Sequence, residues 1–254
     1  EVWNPVTGCD RVSAACQNCY ALTFAGRLKA MGQPKYQRDG NPLTSGPGFG
    51  VFCHPGELAR PGKWKRPRRI FVNSMSDLWH QEVPDRFIND VFEAMLEHEQ
   101  HTYLVLTKRR ERMRAWHDHW LSPVLMPAIV DHIHGGVTVE NNTPAVLRRL
   151  DELRASQFPV KWVSYEPALS ALEIDTTGID WMVIGCEQGW PGSRPFDLGW
   201  ARDMRDRCRD SGTAFYVKQL PADANHAVTH GRVVDKVELF PEDLRIREYP
   251  VVAA

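Results

Sequence analysis

The sequence predicts an α/β fold, a TIM-like (β/α) barrel, complete or partial, with a cysteine loop after the first strand. Three observations carry that prediction. Short apolar runs alternate with helix-like stretches, nearly every run ends in polar residues, and three cysteines crowd directly behind the first run.

The apolar runs are Val2–Val6, Gly50–Cys53, Ile70–Asn73, Tyr103–Thr107, Ile133–Val139, Lys161–Tyr165, Trp181–Gly185 and Ala214–Lys218. Helices fit between them. Cys19–Met31 carries Leu22, Ala25, Leu28 and Met31 on one side, and Gly32 can end it. Pro84 opens a helix whose apolar face is Phe87, Ile88, Val91, Phe92, Met95 and Leu96. Arg109–Trp120 is basic, with Met113, Trp116 and Trp120. Thr143 and Pro144 start another that buries Leu147, Leu150 and Leu153. A last helix spaces Trp200, Met204 and Cys208 four apart and stops at Gly212, which makes Cys208 a core residue. Residues 33–50, rich in Gly, Pro and polar side chains, read as a loop.

A chain of 254 residues with 43% hydrophobic and 25% charged residues has the composition of a soluble globular protein. One domain is expected over 1–220, with an irregular tail over 221–254 packed on it. The net charge of -1 supplies no global basic field for nucleic acid. No apolar run reaches the roughly 18 residues a membrane helix needs, and no secretory leader is read. Six cysteines in a chain of this size do not make a disulfide framework, so a reducing cytoplasm is the expected compartment.

In a parallel barrel the polar strand ends share one face, where barrel enzymes keep their sites. They are Cys53, His54 and Glu57; Asn73, Ser74, Ser76 and Asp77; Thr107 and Lys108; Thr138, Glu140 and Asn141; Ser164 and Glu166; Glu187 and Gln188; Lys218 and Gln219. Helix capping and loop solvation account for any single one of them as well as a site does.

Cys9, Cys16 and Cys19 form a C-x6-C-x2-C motif in a loop leading into a helix. Thiolates suit iron–sulfur clusters or zinc. A closed cluster normally takes four protein ligands, so three leave one iron open. A structural zinc site also needs four, and His54 can complete one. Spacing alone leaves both open.

The segments Asn4–Cys9 and Cys16–Ala21 resemble a family of phage and prophage proteins of unknown function, whose three-cysteine motif is likened to radical S-adenosylmethionine proteins. Pro67–Leu78, Leu104–Arg109, Val137–Asn141, Ser164–Pro167 and Lys218–Gln219 extend the resemblance over most of residues 3–220. Gly185-Cys186-Glu187-Gln188-Gly189 departs from the Gly-Gly-Glu-Ser-Gly-like run of that family, and the first cysteine gap exceeds the usual C-x3-C-x2-C.

The resemblance implies a 4Fe–4S cluster on Cys9, Cys16 and Cys19, and S-adenosylmethionine cleaved to a 5′-deoxyadenosyl radical. It implies Glu57 on the cofactor ammonium, Lys108 on its carboxylate, and Asn73, Ser76, Asp77 and Thr107 on the ribose or methionine end. Glu140, Glu166, Glu187 and Lys218 are then the candidate catalytic and substrate contacts. An electron donor such as flavodoxin or ferredoxin, a phage or bacterial cytoplasm, and DNA or a nucleotide as substrate follow from the same resemblance. The alternative is a non-catalytic iron–sulfur or zinc module that recruits a partner protein. Lys63-Trp64-Lys65-Arg66, Arg68, Arg69 and Lys108–Arg114, with Trp64 and Trp116, can grip a nucleic-acid backbone and stack bases. The same residues equally make a solvated face with intrahelical ion pairs.

Overall fold

The structure, a computed structural model, describes residues 1–120, 131–188, 192–222, 228–229 and 233–251. In chain order its elements are β1 (Val2–Trp3), β2 (Val6–Thr7), α1 (Tyr20–Ala30), β3 (Phe52–Cys53), β4 (Arg69–Val72), α2 (Asp85–Leu96), β5 (Thr102–Thr107), α3 (Arg110–Trp120), β6 (Ile133–Thr138), α4 (Pro144–Arg154), β7 (Val160–Tyr165), β8 (Trp181–Gly185), β9 (Phe196–Asp197), α5 (Leu198–Ser211), β10 (Ala214–Pro221), β11 (Val228–Thr229) and β12 (Val233–Val234). Eight strands make one sheet in the order β1-β4-β5-β6-β7-β8-β10-β12. The pairs β1–β4, β4–β5, β7–β8 and β8–β10 are parallel, and β12 runs antiparallel to β10. The fold is thus mixed α/β with a large, mainly parallel sheet.

Two expected strands come out differently. Val2–Val6 is broken at Asn4–Pro5, because Pro5 has no N–H to give to a ladder. The Pro5 carbonyl instead accepts from His54 N (2.8 Å). Asn4 Oδ1 accepts from Met75 N and Ser74 Oγ, each at 3.3 Å. The chain resumes as β2, which pairs antiparallel with β3, Val6 opposite Cys53. Of residues 50–53, expected as a member of the parallel sheet, Phe52–Cys53 form a separate two-stranded ribbon with β2.

The chain divides into two compact units. The first holds Glu1–Ser13, Tyr20–Gly135 and Ser156–Pro159. Its core is built on α2, where Phe87, Ile88, Val91, Phe92 and Met95 recur at helical spacing and are buried. Burying each such side chain contributes roughly 1.5–3 kcal/mol. Phe92 packs on Trp116 of α3 with ring centroids 4.4 Å apart, and Trp79 closes the cluster at 6.2 Å from Phe92. Trp116 is buried and donates its Nε1 to Asn89 Oδ1 (2.9 Å), so the expected stacking of bases on Trp116 is ruled out by its packing. The basic start of α3 is paired as well: Arg110 with Glu111 and Arg114 with Asp118 on the same helix, and Arg112 with Asp85 of α2.

The second unit holds Ala14–Cys19, Gly136–Ala155 and Val160–Ala254. Pro144 pre-sets the first turn of α4, which buries Val146, Leu150 and Leu153; Leu147, expected in the core, is half-buried. Asp197 caps α5 by accepting from Gly199 N (2.7 Å), and Gly212, at φ 75°, ends it in the left-handed conformation glycine favours. Cys208 is fully buried on that helix. The described part of the expected tail is more ordered than its composition suggests. Beside β12, Val217 N donates to Ile246 O (2.9 Å) and Glu248 N to Phe215 O (3.0 Å), giving β10 partners along its outer side. Gly189, residues 223–227, 230–232 and 252–254, and the Trp120 side chain lie outside the described residues. No helix among the described residues is long and apolar enough to cross a membrane.

Candidate functional site

In the first unit, Gly8 and Cys9 follow β2. Gly8 has φ +87°, and a Cβ there would stand 2.2 Å from the Gly50 carbonyl oxygen, so only glycine fits. Gly8 N donates to Met75 O (3.0 Å) and Cys9 N to Phe49 O (3.3 Å), fixing the backbone that presents the first cysteine.

Arg109 meets the Cys9 side chain. Its Nη1 donates to Cys9 Sγ (3.3 Å) and to Asp77 Oδ2 (3.1 Å), and its Nη2 donates to Asp10 O (3.1 Å). Asp77 is itself buried and accepts from Thr107 Oγ1 (2.7 Å), Lys108 N (3.1 Å) and Trp79 N (3.1 Å). Burial works against the Arg109 cation. The Asp77 carboxylate and the Cys9 sulfur outweigh it, holding Arg109 above the ordinary guanidinium value. Thr107, Lys108 and Asp77 are thus brought together, but through Asp77; the part of Lys108 that takes part is its backbone.

Asp10 carries the network outward. Its carboxylate accepts from Thr44 Oγ1 (2.5 Å) and lies 2.9 Å from His80 Nε2. Burial raises the Asp10 carboxyl, but those hydrogen bonds and the His80 and Arg109 charges prevail and lower it. Burial and Arg109 lower His80 more than Asp10 lifts it. Asp10, His80 and Glu82 bring ligand atoms within 4.8 Å of one another, a spacing a cation can use. The histidine argues otherwise. Its Nδ1 accepts from Glu82 N (3.2 Å), which leaves the proton on Nε2 pointing at Asp10 and no lone pair there for a metal.

Asn73, just past β4, has φ 62°, rare outside glycine. Its Oδ1 accepts from Val6 N (3.3 Å), and Ser76 Oγ donates to Val6 O (2.7 Å), so both side chains flank β2. Asn73 is 5% exposed, and its Nδ2 has no hydrogen-bond partner among the described residues. Glu57 ends a short 3-10 turn, Pro55–Glu57, and is paired with Lys35 (2.7 Å) and Arg60 (3.4 Å). Burial opposes its charge, but those two cations hold the carboxyl below its usual range. His54 Nε2 sits 2.8 Å from Thr7 Oγ1.

The second unit carries Cys16, which is buried, and Cys19, which is half-buried. Between them, Asn18 Nδ2 donates to Glu187 Oε2 and to Gly192 O, each at 2.9 Å. Arg194 grips Glu187 with both its backbone N (2.9 Å) and its Nε (3.0 Å), pairs through Nη2 with the other oxygen, and reaches Gln17 Oε1 (3.3 Å). Burial raises the Glu187 carboxyl, and the Arg194 and Asn18 hydrogen bonds bring it below its ordinary value. Glu187 Oε2 therefore holds the loop between the paired cysteines directly, while Oε1 is taken by Arg194.

Glu166 and Lys218 are bonded at 2.7 and 2.8 Å, with Lys218 half exposed. Gln188 Nε2 donates to Gln219 Oε1 (2.9 Å), and Gln219 Nε2 to Cys186 O (2.7 Å). Cys186 is pushed up to about 12, mainly by burial and then by Glu166 and Glu187, which keeps it a thiol. Glu140 is wholly buried. One oxygen pairs with Arg149 Nη1 (2.7 Å), and the other has no partner among the described residues.

Sequence reasoning did not single out Asp10, Asn18, His80 or Arg194, and it took Arg109 only as part of a basic run. Asp10 and Asn18 adjoin the cysteines, which was signal enough to suspect them.

A family profile described as "Protein of unknown function (DUF5131)" matches residues 1–239. A comparison with curated proteins finds none that matches. Among solved structures, a mutant of spore photoproduct lyase with bound AdoMet and dinucleoside spore photoproduct is similar at TM-score 0.42 and 10% identity, covering 83% of this chain and 61% of that one. Spore photoproduct lyase complexed with dinucleoside spore photoproduct gives TM-score 0.42 and 10% identity, covering 81% and 60%. The chain thus spans about 60% of the length of the solved structures it matches.

Proposed function

The chain belongs to the family described as protein of unknown function (DUF5131), so its activity must come from its own residues, and we propose that it is an iron–sulfur enzyme of the radical S-adenosylmethionine class. The observation that carries this reading is the three-cysteine motif after β2, in a chain whose main sheet is large and mainly parallel.

The donor set fits such a group. Three thiols, none in a disulfide, are the soft ligands iron–sulfur clusters take. The buried, unpartnered Nδ2 of Asn73 fits a polar ligand at the carboxyl end of β4. Cys9, Cys16 and Cys19 would hold the cluster. Held by three thiolates, it supplies an open iron and one electron for reductive cleavage of S-adenosylmethionine.

The chain's own residues position and discriminate. Asn73 Nδ2 donates to a cofactor oxygen. The Lys108 side chain offers a charge-assisted contact to the cofactor carboxylate. Glu57, Ser76, Asp77 and Thr107 each already hold a neighbouring group and serve as positioning residues. For a substrate, the Glu166–Lys218 pair offers both charges, and Glu140 has one oxygen without a partner among the described residues. Glu187 holds the loop between Cys16 and Cys19. A polyanion such as DNA or a nucleotide is the proposed substrate class, supported by the exposed basic run Lys63, Lys65, Arg66, Arg68 and Arg69.

Anaerobic reconstitution tests the reading. The chain should take up about four irons and four sulfides and, reduced by dithionite, release 5′-deoxyadenosine from S-adenosylmethionine. Alanine at Cys9, Cys16 or Cys19 should abolish both. Stoichiometric zinc without iron in an anaerobic preparation would sink it.

A further inference from the structure

We propose that Arg109 is a positioning residue for the Cys9 ligand that also raises the electron affinity of the cluster Cys9 helps to hold, an inference that rests on the cluster reading above. One guanidinium spans three fixed points: the Cys9 sulfur at 3.3 Å, the Asp77 carboxylate at 3.1 Å and the Asp10 carbonyl at 3.1 Å. The anchor does not drift, because Asp77 is held by Thr107, Trp79 N and Lys108 N. Its side chain is 13% exposed, so water screens the charge little.

The consequence follows from charge. Accepting an electron adds negative charge to the iron–sulfur unit and its thiolates. A permanent cation donating a hydrogen bond to one ligating sulfur stabilises the reduced state more than the oxidised one, and hydrogen bonds to the sulfurs are a recognised lever on cluster potentials. The planar fork also fixes the Cys9–Asp10 backbone in a way a lysine ammonium cannot, since a point charge does not reach sulfur, carboxylate and carbonyl together. The residue is therefore more than a structural clamp, and the two roles separate experimentally.

The test compares wild type, Arg109→Met and Arg109→Lys after anaerobic reconstitution. Iron and sulfide per chain are measured first, then the midpoint potential by dithionite titration with mediators, followed by EPR. The expected order is wild type highest, Arg109→Lys lower and Arg109→Met lowest. A clamp of purely structural importance lowers thermal stability in the variants and leaves the potential where it was. If Arg109→Met takes up no cluster, Arg109→Lys decides: a wild-type potential there overturns the proposal, and a more negative one upholds it. Equal potentials in all three chains at equal iron content overturn it outright. A wild-type chain that binds no iron and sulfide instead defeats the cluster reading on which this rests.

Discussion

Asn18, the second of the two residues between Cys16 and Cys19, donates its side-chain amide to Glu187 Oε2 at 2.9 Å, across 169 positions of sequence. That bond makes the geometry of the paired cysteines depend on the carboxyl end of β8. Glu187 is 5% exposed and also carries Arg194. Glu187→Ala leaves the partly exposed arginine and the amide without their shared acceptor, which costs roughly 1–3 kcal/mol. The melting temperature of the apo chain should fall sharply, and reconstituted iron should fall with it. An alanine variant with unchanged melting and full iron would contradict this account.

Asn73 permits a cleaner separation of fold from ligand. Asn73→Asp keeps the acceptor for Val6 N and a side chain tolerant of φ 62°, while replacing the unpartnered Nδ2 by oxygen. At 5% exposure with no cation beside it among the described residues, the new carboxyl is favoured neutral, and stability should fall as pH rises and it ionises, so affinity is compared on folded protein. S-adenosylmethionine affinity, followed by the change it makes in the reduced cluster's EPR signal, should drop by roughly ten-fold or more. Unchanged affinity would remove Asn73 from the cofactor contacts.

The Glu166–Lys218 pair should matter little for folding. With Lys218 48% exposed, such an ion pair is worth at most about 1 kcal/mol. Lys218→Met should therefore unfold in urea close to wild type, yet lose substrate turnover. A large loss of stability would mean the pair is structural.

His117 sets a pH dependence. It is 2% exposed, neither ring nitrogen has a partner among the described residues, and burial pushes it down to about 4 from an ordinary 6.5. The folded chain thus disfavours the protonated ring. The stabilising contribution is full above pH 6.5, declines as pH falls below it, and is gone near pH 4. The span is worth about 3 kcal/mol. Urea unfolding between those limits should show the decline in wild type and a shallower one in His117→Leu; identical slopes would refute the assignment.

Gly135 and Gly136 of β6 make room for rings. A Cβ on Gly135 would meet Phe158 Cδ2 at 2.0 Å, and one on Gly136 would meet Trp162 Cε2 at 2.4 Å. Both rings are buried, so Gly135→Ala or Gly136→Ala should cost about 1–3 kcal/mol. Unfolding midpoints close to wild type would show that the rings can move.

Where sequence reading succeeded, the signal was local. The face of α2 and the Pro144 start and Gly212 stop of two later helices follow from short-range spacing and backbone chemistry. The parallel runs from Ile70 to Lys218 were visible because they are apolar and short. Where it fell short, the determinant was a partner distant in sequence. Nothing near Val2–Val6 says that the chain leaves one sheet at Pro5 and joins another ribbon. In the Thr107-Lys108-Arg109 triplet it is Arg109 that reaches Cys9. That choice depends on where Asp77 stands, which no local pattern reveals. The partners of Glu187, Arg194 and Asn18, are likewise set by the fold and not by any local pattern.

The contact of Gly8 with Gly50 gives the stretch 33–50 a part that its composition conceals. Those residues read as slack between two elements, where extra length is usually tolerated. Yet Phe49 O receives the Cys9 amide, and Thr44 O receives that of Arg11. The segment works as a gauge block: its length sets the height at which the first cysteine stands. One residue inserted before Phe49 should displace Cys9 even with every cysteine intact. Transplanting the motif onto another strand-and-helix scaffold would require carrying this second, cysteine-free segment along with it.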